Sequence, residues 1–200
     1  MPAPRRDRPA HVVYIVGATD TGKTTWLLSQ LRGSRRLVVW DVKGEFSRKG
    51  LARPVYSLHD LLAVLKAARS GWFAYQPRDM SDFNLFCRIA YAWGHCDLVA
   101  EELADVSSPG RAPLWWGVVI RRGRERALRV WATSQRPAEA DKTIYGNRTS
   151  LHVHQLMRLK DRREIAAELG VQPAQVDAVR QFEWIAADRA GRIARGVTSR

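Results

Sequence analysis

Unbroken apolar runs alternate with stretches of helical period along most of the 200-residue chain. Residues 12–16 (VVYIV) are β-branched and continuous, the composition of a strand buried on both faces, and residues 24–31 carry a helix-compatible pattern behind them. LVVW at 37–40 predicts a second buried strand ending in a polar turn. Residues 57–69 place Leu58, Leu61, Leu62, Leu65 and Ala68 at helical spacing, with Ser57 as the cap. WFAYQP at 72–77 reads as a strand stopped by proline, and SDFNLFCRIAYAWG as a helix opened by Ser81. CDLVAEE predicts a strand, WWGVVIRRGRER a helix, and LRVWATSQRP and LHVHQLM two more strands. DRREIAAELGV and PAQVDAVRQ give two short helices before an edge hairpin, FEWIAADRAGRIARG. Strands alternating with helices predict one α/β domain, a central, mostly parallel sheet with right-handed crossovers and helices on both faces.

The turn after the first strand carries chemistry. GATDTGKT fits G-x-x-x-x-G-K-[ST] and stands between a strand and a helix, which is the context the pattern needs. An ordinary glycine-containing turn would not call for both flanks. The candidate phosphate-binding residues are Gly17, Ala18, Thr19, Asp20, Thr21, Gly22, Lys23, Thr24 and Thr25. The glycines let backbone N–H groups and the helix N-terminus face phosphates. Lys23 supplies a point charge for the β- and γ-phosphates, Thr24 a hydroxyl for Mg²⁺, and Thr25 a contact to an α- or β-phosphate oxygen. The expected ligand is therefore a nucleoside triphosphate with Mg²⁺.

Ligands of open α/β sheets sit at the carboxyl ends of the strands, so the polar residues ending each strand are the further candidates. These are Asp41, Lys43 and Glu45, then Glu101 and Glu102, then Ser134 and Gln135. Paired acids beyond an apolar strand suit hydrolysis: Glu101 is assigned to the metal and Glu102 to the attacking water. Glu-Glu-Leu is also a serviceable first turn of a solvated helix. Gln135 fits a γ-phosphate sensor, a neutral amide that reports phosphate loss without changing the charge.

Composition changes the picture in one respect. The net charge of +13 and pI near 10.6 come mostly from arginines spread along the chain, which favours a polyanionic partner such as nucleic acid. Cys87 and Cys96 lack C-x-x-C spacing and fit neither a disulfide framework nor a zinc site. No apolar run approaches the ~18 residues of a membrane span. Residues 1–10 read as a flexible basic arm and 11–200 as the phosphate-loop domain.

DVKGEF after the second strand, EEL after a later one, and RRGRERALRVWATSQRP in that order resemble the HerA/FtsK superfamily of DNA-pumping ATPases, which is of the RecA-like P-loop type. The short build and the RRGR…TSQRPAEADK block are most similar to genome-packaging ATPases of viruses with double jelly-roll capsids. The likeness spans roughly residues 12–160, and one departure stands out, Glu101 where the family usually has Asp. Asp97, the other acid of that strand, lies at its start, away from the phosphates.

The resemblance implies ATP as the nucleotide, a ring of five or six subunits with ATP between neighbours, and an arginine lent by each neighbour. Arg121, Arg122, Arg124 and Arg126 have the density for it, with Arg122 and Arg124 taken as catalytic; a solvated basic helix end is the plainer reading. Residues 106–117 could face a pore, with Arg111 gripping DNA phosphates. Trp115 and Trp116 suit packing or a subunit interface, and His152 and His154 strand packing or surface in place of metal binding. The implied function is ATP-driven translocation of double-stranded DNA, packaging a viral genome into a preformed capsid. The implied partners are DNA of any sequence and capsid or portal-vertex proteins, in the cytoplasm of the host cell or within the virion. A cellular or plasmid-transfer pump is the first rival, disfavoured because such proteins usually carry extra domains; a monomeric P-loop kinase is the second.

Overall fold

The computed structural model describes residues 9–199. Most of the basic arm expected at 1–10 lies outside the described residues. The chain runs β1 (His11–Val16), α1 (Lys23–Gln30), β2 (Arg36–Trp40), α2 (Glu45–Arg48), β3 (Arg53–Val55), α3 (Leu58–Ala67) and β4 (Gly71–Tyr75). It continues through α4 (Phe83–Trp93), β5 (Asp97–Ala100), α5 (Leu103–Val106), α6 (Leu114–Arg122), β6 (Arg129–Ser134) and α7 (Thr143–Asn147). β7 (Ser150–His154), α8 (Leu159–Leu169), α9 (Pro173–Asp177), β8 (Glu183–Asp188) and β9 (Ile193–Val197) complete it.

One nine-stranded sheet takes the order β3-β4-β2-β5-β6-β1-β7-β8-β9. The strands from β3 to β7 pair in parallel, and β8 and β9 add an antiparallel edge. Adjacent residues of the central strands enter opposite cores. Val12, Tyr14 and Val16 join the larger core with Val38, Trp40 and residues of α3, α4 and α6, whereas Val13 and Ile15 join Leu27, Leu31, Leu37 and Phe46 beneath α1 and α2. Burial on both faces is why these strands show no polar alternation. β6 lies between β1 and β5, so its end stands between the phosphate loop and the paired acids.

Two local expectations change. Ser81 does not open the helix it precedes: the chain enters α4 through a 3₁₀ turn, Met80–Asp82, capped by the Asp79 carboxylate, which accepts from Ser81 N at 2.8 Å. β3 was not expected. It holds three residues, one of them Pro54, and proline is tolerated there because β3 is an edge strand.

Candidate nucleotide-binding site

The turn after β1 is held from both sides by its neighbours. Gly17 N donates to Ser134 O at the end of β6 (3.1 Å), and Ala18 N donates to Gln155 O just past β7 (2.8 Å). Gly17 has φ +156°, and a Cβ there would sit 2.7 Å from the Cβ of His154, so the loop closes only around a glycine. Beneath it, the His154 ring donates from Nδ1 to Thr21 O at 2.9 Å. Thr21 Oγ1 and Lys23 Nζ both donate to Ala18 O, at 2.8 and 2.6 Å. Burial, the largest influence, draws the Lys23 ammonium down to about 8 despite the nearby Glu102 charge. A bound polyphosphate would supply the opposite charge that the buried ammonium lacks.

The two acids at the end of β5 face different surroundings. Glu102 adopts left-handed backbone angles (φ 50°, ψ 58°), which turn its carboxylate towards β6 and β2. There it accepts from Lys43 Nζ (2.6 Å), from Gln135 Nε2 (2.7 Å) and from Gln135 N (3.3 Å). Burial works to raise its pKa, but the bonds from Gln135 and Lys43 outweigh it and hold the group below the usual carboxylate range. Glu101 points the other way. It is 5% exposed, and burial together with the Asp41 and Glu45 charges pushes its pKa well above the ordinary value. Its Oε2 is buried with no hydrogen-bond partner. Neighbours in sequence are thus pushed in opposite directions, the arrangement expected of a pair with divided roles.

Gln135 joins the halves of the site. Its Nε2 donates to Glu102, and its Oε1 accepts from Thr19 Oγ1 of the phosphate loop at 2.7 Å. The resulting cleft of about 180 Å³ is lined by Gly22, Lys23, Thr24 and Thr25 with Glu101, Glu102, Lys43 and Thr133. Every loop residue and strand-end acid singled out from the pattern therefore lies at one rim of the sheet. The cleft also includes Phe182, from the turn before β8, which no local signal in the sequence marks.

The donor set suits Mg²⁺. Among the described residues no three His, Cys, Asp or Glu side chains cluster as a metal site. None is needed, because Mg²⁺ at a phosphate site takes one or two protein oxygens and fills its octahedron with water and phosphate. The Thr24 hydroxyl and the orphaned Glu101 oxygen provide hard ligands of that kind.

Other candidates lie elsewhere. Asp97 is at the opposite rim, where it accepts from Ser34 Oγ (2.6 Å) and Trp131 Nε1 (2.7 Å) and pairs with Arg129 (3.4 Å). The arginine cluster occupies that same far rim. Arg122 is paired with Glu125 at 3.0 Å, and Arg126 donates to Ala92 O at 2.7 Å and Tyr91 O at 3.2 Å. Arg121 lies against Gly117, whereas Arg124 lines an open cavity with Arg35 and Arg129. No arginine of the four reaches its own subunit's phosphate loop. Arg111 is exposed in a turn that Ser108 closes, in the segment between α5 and α6. Trp116 is fully buried, and Trp115 packs at the edge of the same core.

His152 and His154 are core residues. His152 stacks on Trp26 with ring centres 3.6 Å apart and touches Trp184 at 4.6 Å. Burial pulls His152 down to about 2 and His154 to about 4. Both folded values lie below the unfolded value of 6.5, so their contribution is complete above that pH and is lost as pH falls. Each costs about 1.4 kcal/mol per pH unit below 6.5 while it stays neutral in the fold. We expect the melting temperature to drop between pH 7 and pH 5, and His152→Phe to flatten that dependence. An unchanged pH slope in the variant would assign the acid sensitivity to other groups.

No protein-family model matches the chain. Protein P9 of Pseudoalteromonas phage PM2 is 32% identical over 142 residues, covering 65% of this chain and 62% of P9. The chain thus matches somewhat less than two thirds of the length of that relative. The genome-packaging NTPase B204 of Sulfolobus turreted icosahedral virus 2, solved with AMPPCP, superposes with a TM-score of 0.77 over 96% of this chain and 100% of B204, at 14% identity. The chain has the P-loop fold of these proteins. VirB4 of Thermoanaerobacter pseudethanolicus shares the fold more distantly, with a TM-score of 0.66 at 12% identity over 98% of this chain and 91% of VirB4. The resemblance read from DVKGEF, EEL and TSQRP is thereby borne out in the fold. Among the described residues no helix is long and apolar enough to cross a membrane.

Proposed function

We propose that the protein hydrolyses ATP to move double-stranded DNA, packaging a viral genome into a preformed capsid. The observation that carries this reading is the Gln135 amide, which touches the phosphate loop through Thr19 and the ionised Glu102 at the same time. Loss of the γ-phosphate next to this amide changes what Thr19 and Glu102 can bond to, so hydrolysis becomes a movement at the end of β6.

The chemistry divides among the residues as follows. Lys23 and the loop N–H groups hold the phosphates, and Glu102 orients water and accepts its proton. Lys43 keeps Glu102 ionised. Thr24 and Glu101 would hold Mg²⁺, which neutralises charge on the phosphates. An arginine from the far rim of a neighbour stabilises the transferred phosphoryl group in a ring of five or six copies. The packaging role and the DNA partner rest on likeness to B204 and on the charge of +13. Capsid or portal-vertex proteins would be the docking partners, with action in the host cytoplasm or within the virion.

The test is ATP consumption without any acceptor molecule, rising when duplex DNA of unrelated sequences is added. Consumption that requires a small acceptor and ignores DNA would point to a kinase and defeat the proposal. Affinity for DNA should fall steeply with salt, because each phosphate contact releases counterions. Arg111→Ala should lower the slope of log affinity against log salt by about one. An unaltered slope removes Arg111 from the DNA contact.

A further inference from the structure

The phosphate loop and the acids account for one end of a nucleotide; the other end has no assigned wall. The order of strands fixes its direction. Glu101, Glu102, Lys43 and Gln135 stand at the ends of β5, β2 and β6, on one side of β1, and would face the γ-phosphate of a bound triphosphate. The chain of phosphates would then lead past Thr25 to the opposite side, towards β7 and β8. Phe182 stands there, the aromatic side chain lining the cleft.

Its backbone is held with unusual definition. Phe182 has φ +66°, a region that bulky side chains rarely enter. Two main-chain bonds keep it there: Phe182 N donates to Thr21 O of the phosphate loop (3.2 Å), and Thr198 N, just past β9, donates to Phe182 O (2.7 Å). Gln181 Nε2 adds a bond to Asp20 O at 3.0 Å. A Cβ on Gly22 would meet the Phe182 ring at 3.2 Å, so the ring lies directly against the N-terminus of α1. A strained aromatic that is wired to the loop and faces its cleft is a fixed platform, with its ring placed before any ligand arrives.

We propose that Phe182 is the nucleoside-side wall of the cleft, packing its ring against the base or ribose of the bound triphosphate. The inference rests on the proposed nucleotide-hydrolysing role. A ring face gives affinity through stacking and accepts any base, because every base has a π-face, so Phe182 would favour nucleotides over bare polyphosphate without choosing adenine.

The test compares two ligands that share phosphates and differ in the nucleoside: a non-hydrolysable ATP analogue and inorganic tripolyphosphate, each titrated with Mg²⁺ by calorimetry. The informative variant is Phe182→Gly, since glycine adopts φ +66° without strain and removes the whole benzyl side chain. The ATP analogue should bind about tenfold more weakly or worse, and tripolyphosphate within about twofold of the parent. Phe182→Tyr should retain the affinity for both. Equal weakening of both ligands would make Phe182 a support for the loop and overturn the proposal, as would unchanged binding of the ATP analogue. Should Phe182→Gly fail to fold, Phe182→Leu keeps the bulk, loses the aromatic face and is read in the same way. A parent protein that binds neither ligand would overturn the nucleotide-hydrolysing role itself; a parent that binds both, with variants that do not discriminate, would overturn only the role of Phe182.

Discussion

Glu102→Gln protein should bind ATP at least as tightly as its parent and barely turn it over. The amide is isosteric and still accepts from Lys43 or Gln135, so the site keeps its shape. It cannot take a proton from water, and a positioned base of this kind is worth about 10²–10⁴ in rate. Removing a negative charge beside the phosphates also frees Lys43, now paired at 2.6 Å, to face the nucleotide. That is the reason to expect unchanged or improved affinity. Phosphate release and calorimetric binding, measured on the same preparation, decide the matter. Wild-type turnover would move the water-orienting role elsewhere, and lost binding would make Glu102 a structural residue. Lys23→Ala should behave in the opposite way, losing both binding and turnover.

The second large effect concerns Arg124. It lines the far-rim cavity and, unlike those of Arg122 and Arg126, its side chain makes no hydrogen bond or ion pair among the described residues. An arginine acting across a subunit boundary contributes about 10³–10⁵ to turnover, so Arg124→Ala should bind nucleotide normally and hydrolyse it very slowly. Mixing with Lys23→Ala protein isolates the trans geometry. Some boundaries in a mixed ring bring an intact loop to an intact arginine, and part of the activity should return. Demonstrably mixed rings without recovery would leave Arg124 as a surface cation. Arg122 is the next position to mix, since its exposed pair with Glu125 is weak enough to release.

How much of this was legible depended on whether a residue's role is local. The central strands announced themselves because burial on both faces selects unbroken β-branched runs, and the phosphate loop because its glycines are needed within a few residues of one another. Glu102 and Gln135 could be located as strand ends in a sheet whose ligand rim is known in advance. β3 left no trace: of its three residues only Val55 is buried. The helix α2 is nearly as short and is tied down from a distance, with Asp41 accepting from Phe46 N and Ser47 N. The contrast between Glu101 and Glu102 was also beyond the pattern, because it arises from Asp41 on one side and Lys43 with Gln135 on the other. Phe182 belongs to the same class, placed against Thr21 only when β8 and β9 close the edge of the sheet. The arginines were visible as a cluster, but their seat on the far rim follows from α6 running back across the sheet.

β6 has one more consequence. It starts at Arg129, directly behind the arginine-bearing turn, and ends at Ser134, against Gln135, so six residues of strand, about 20 Å, join the two rims. A buried parallel strand paired on both sides does not stretch or bend easily. In the proposed ring, a displacement of Gln135 when one subunit loses its phosphate would arrive at that subunit's arginines, which face the next site. Firing order around the ring would then be set by the stiffness of a single strand, with DNA needed as cargo but not as messenger.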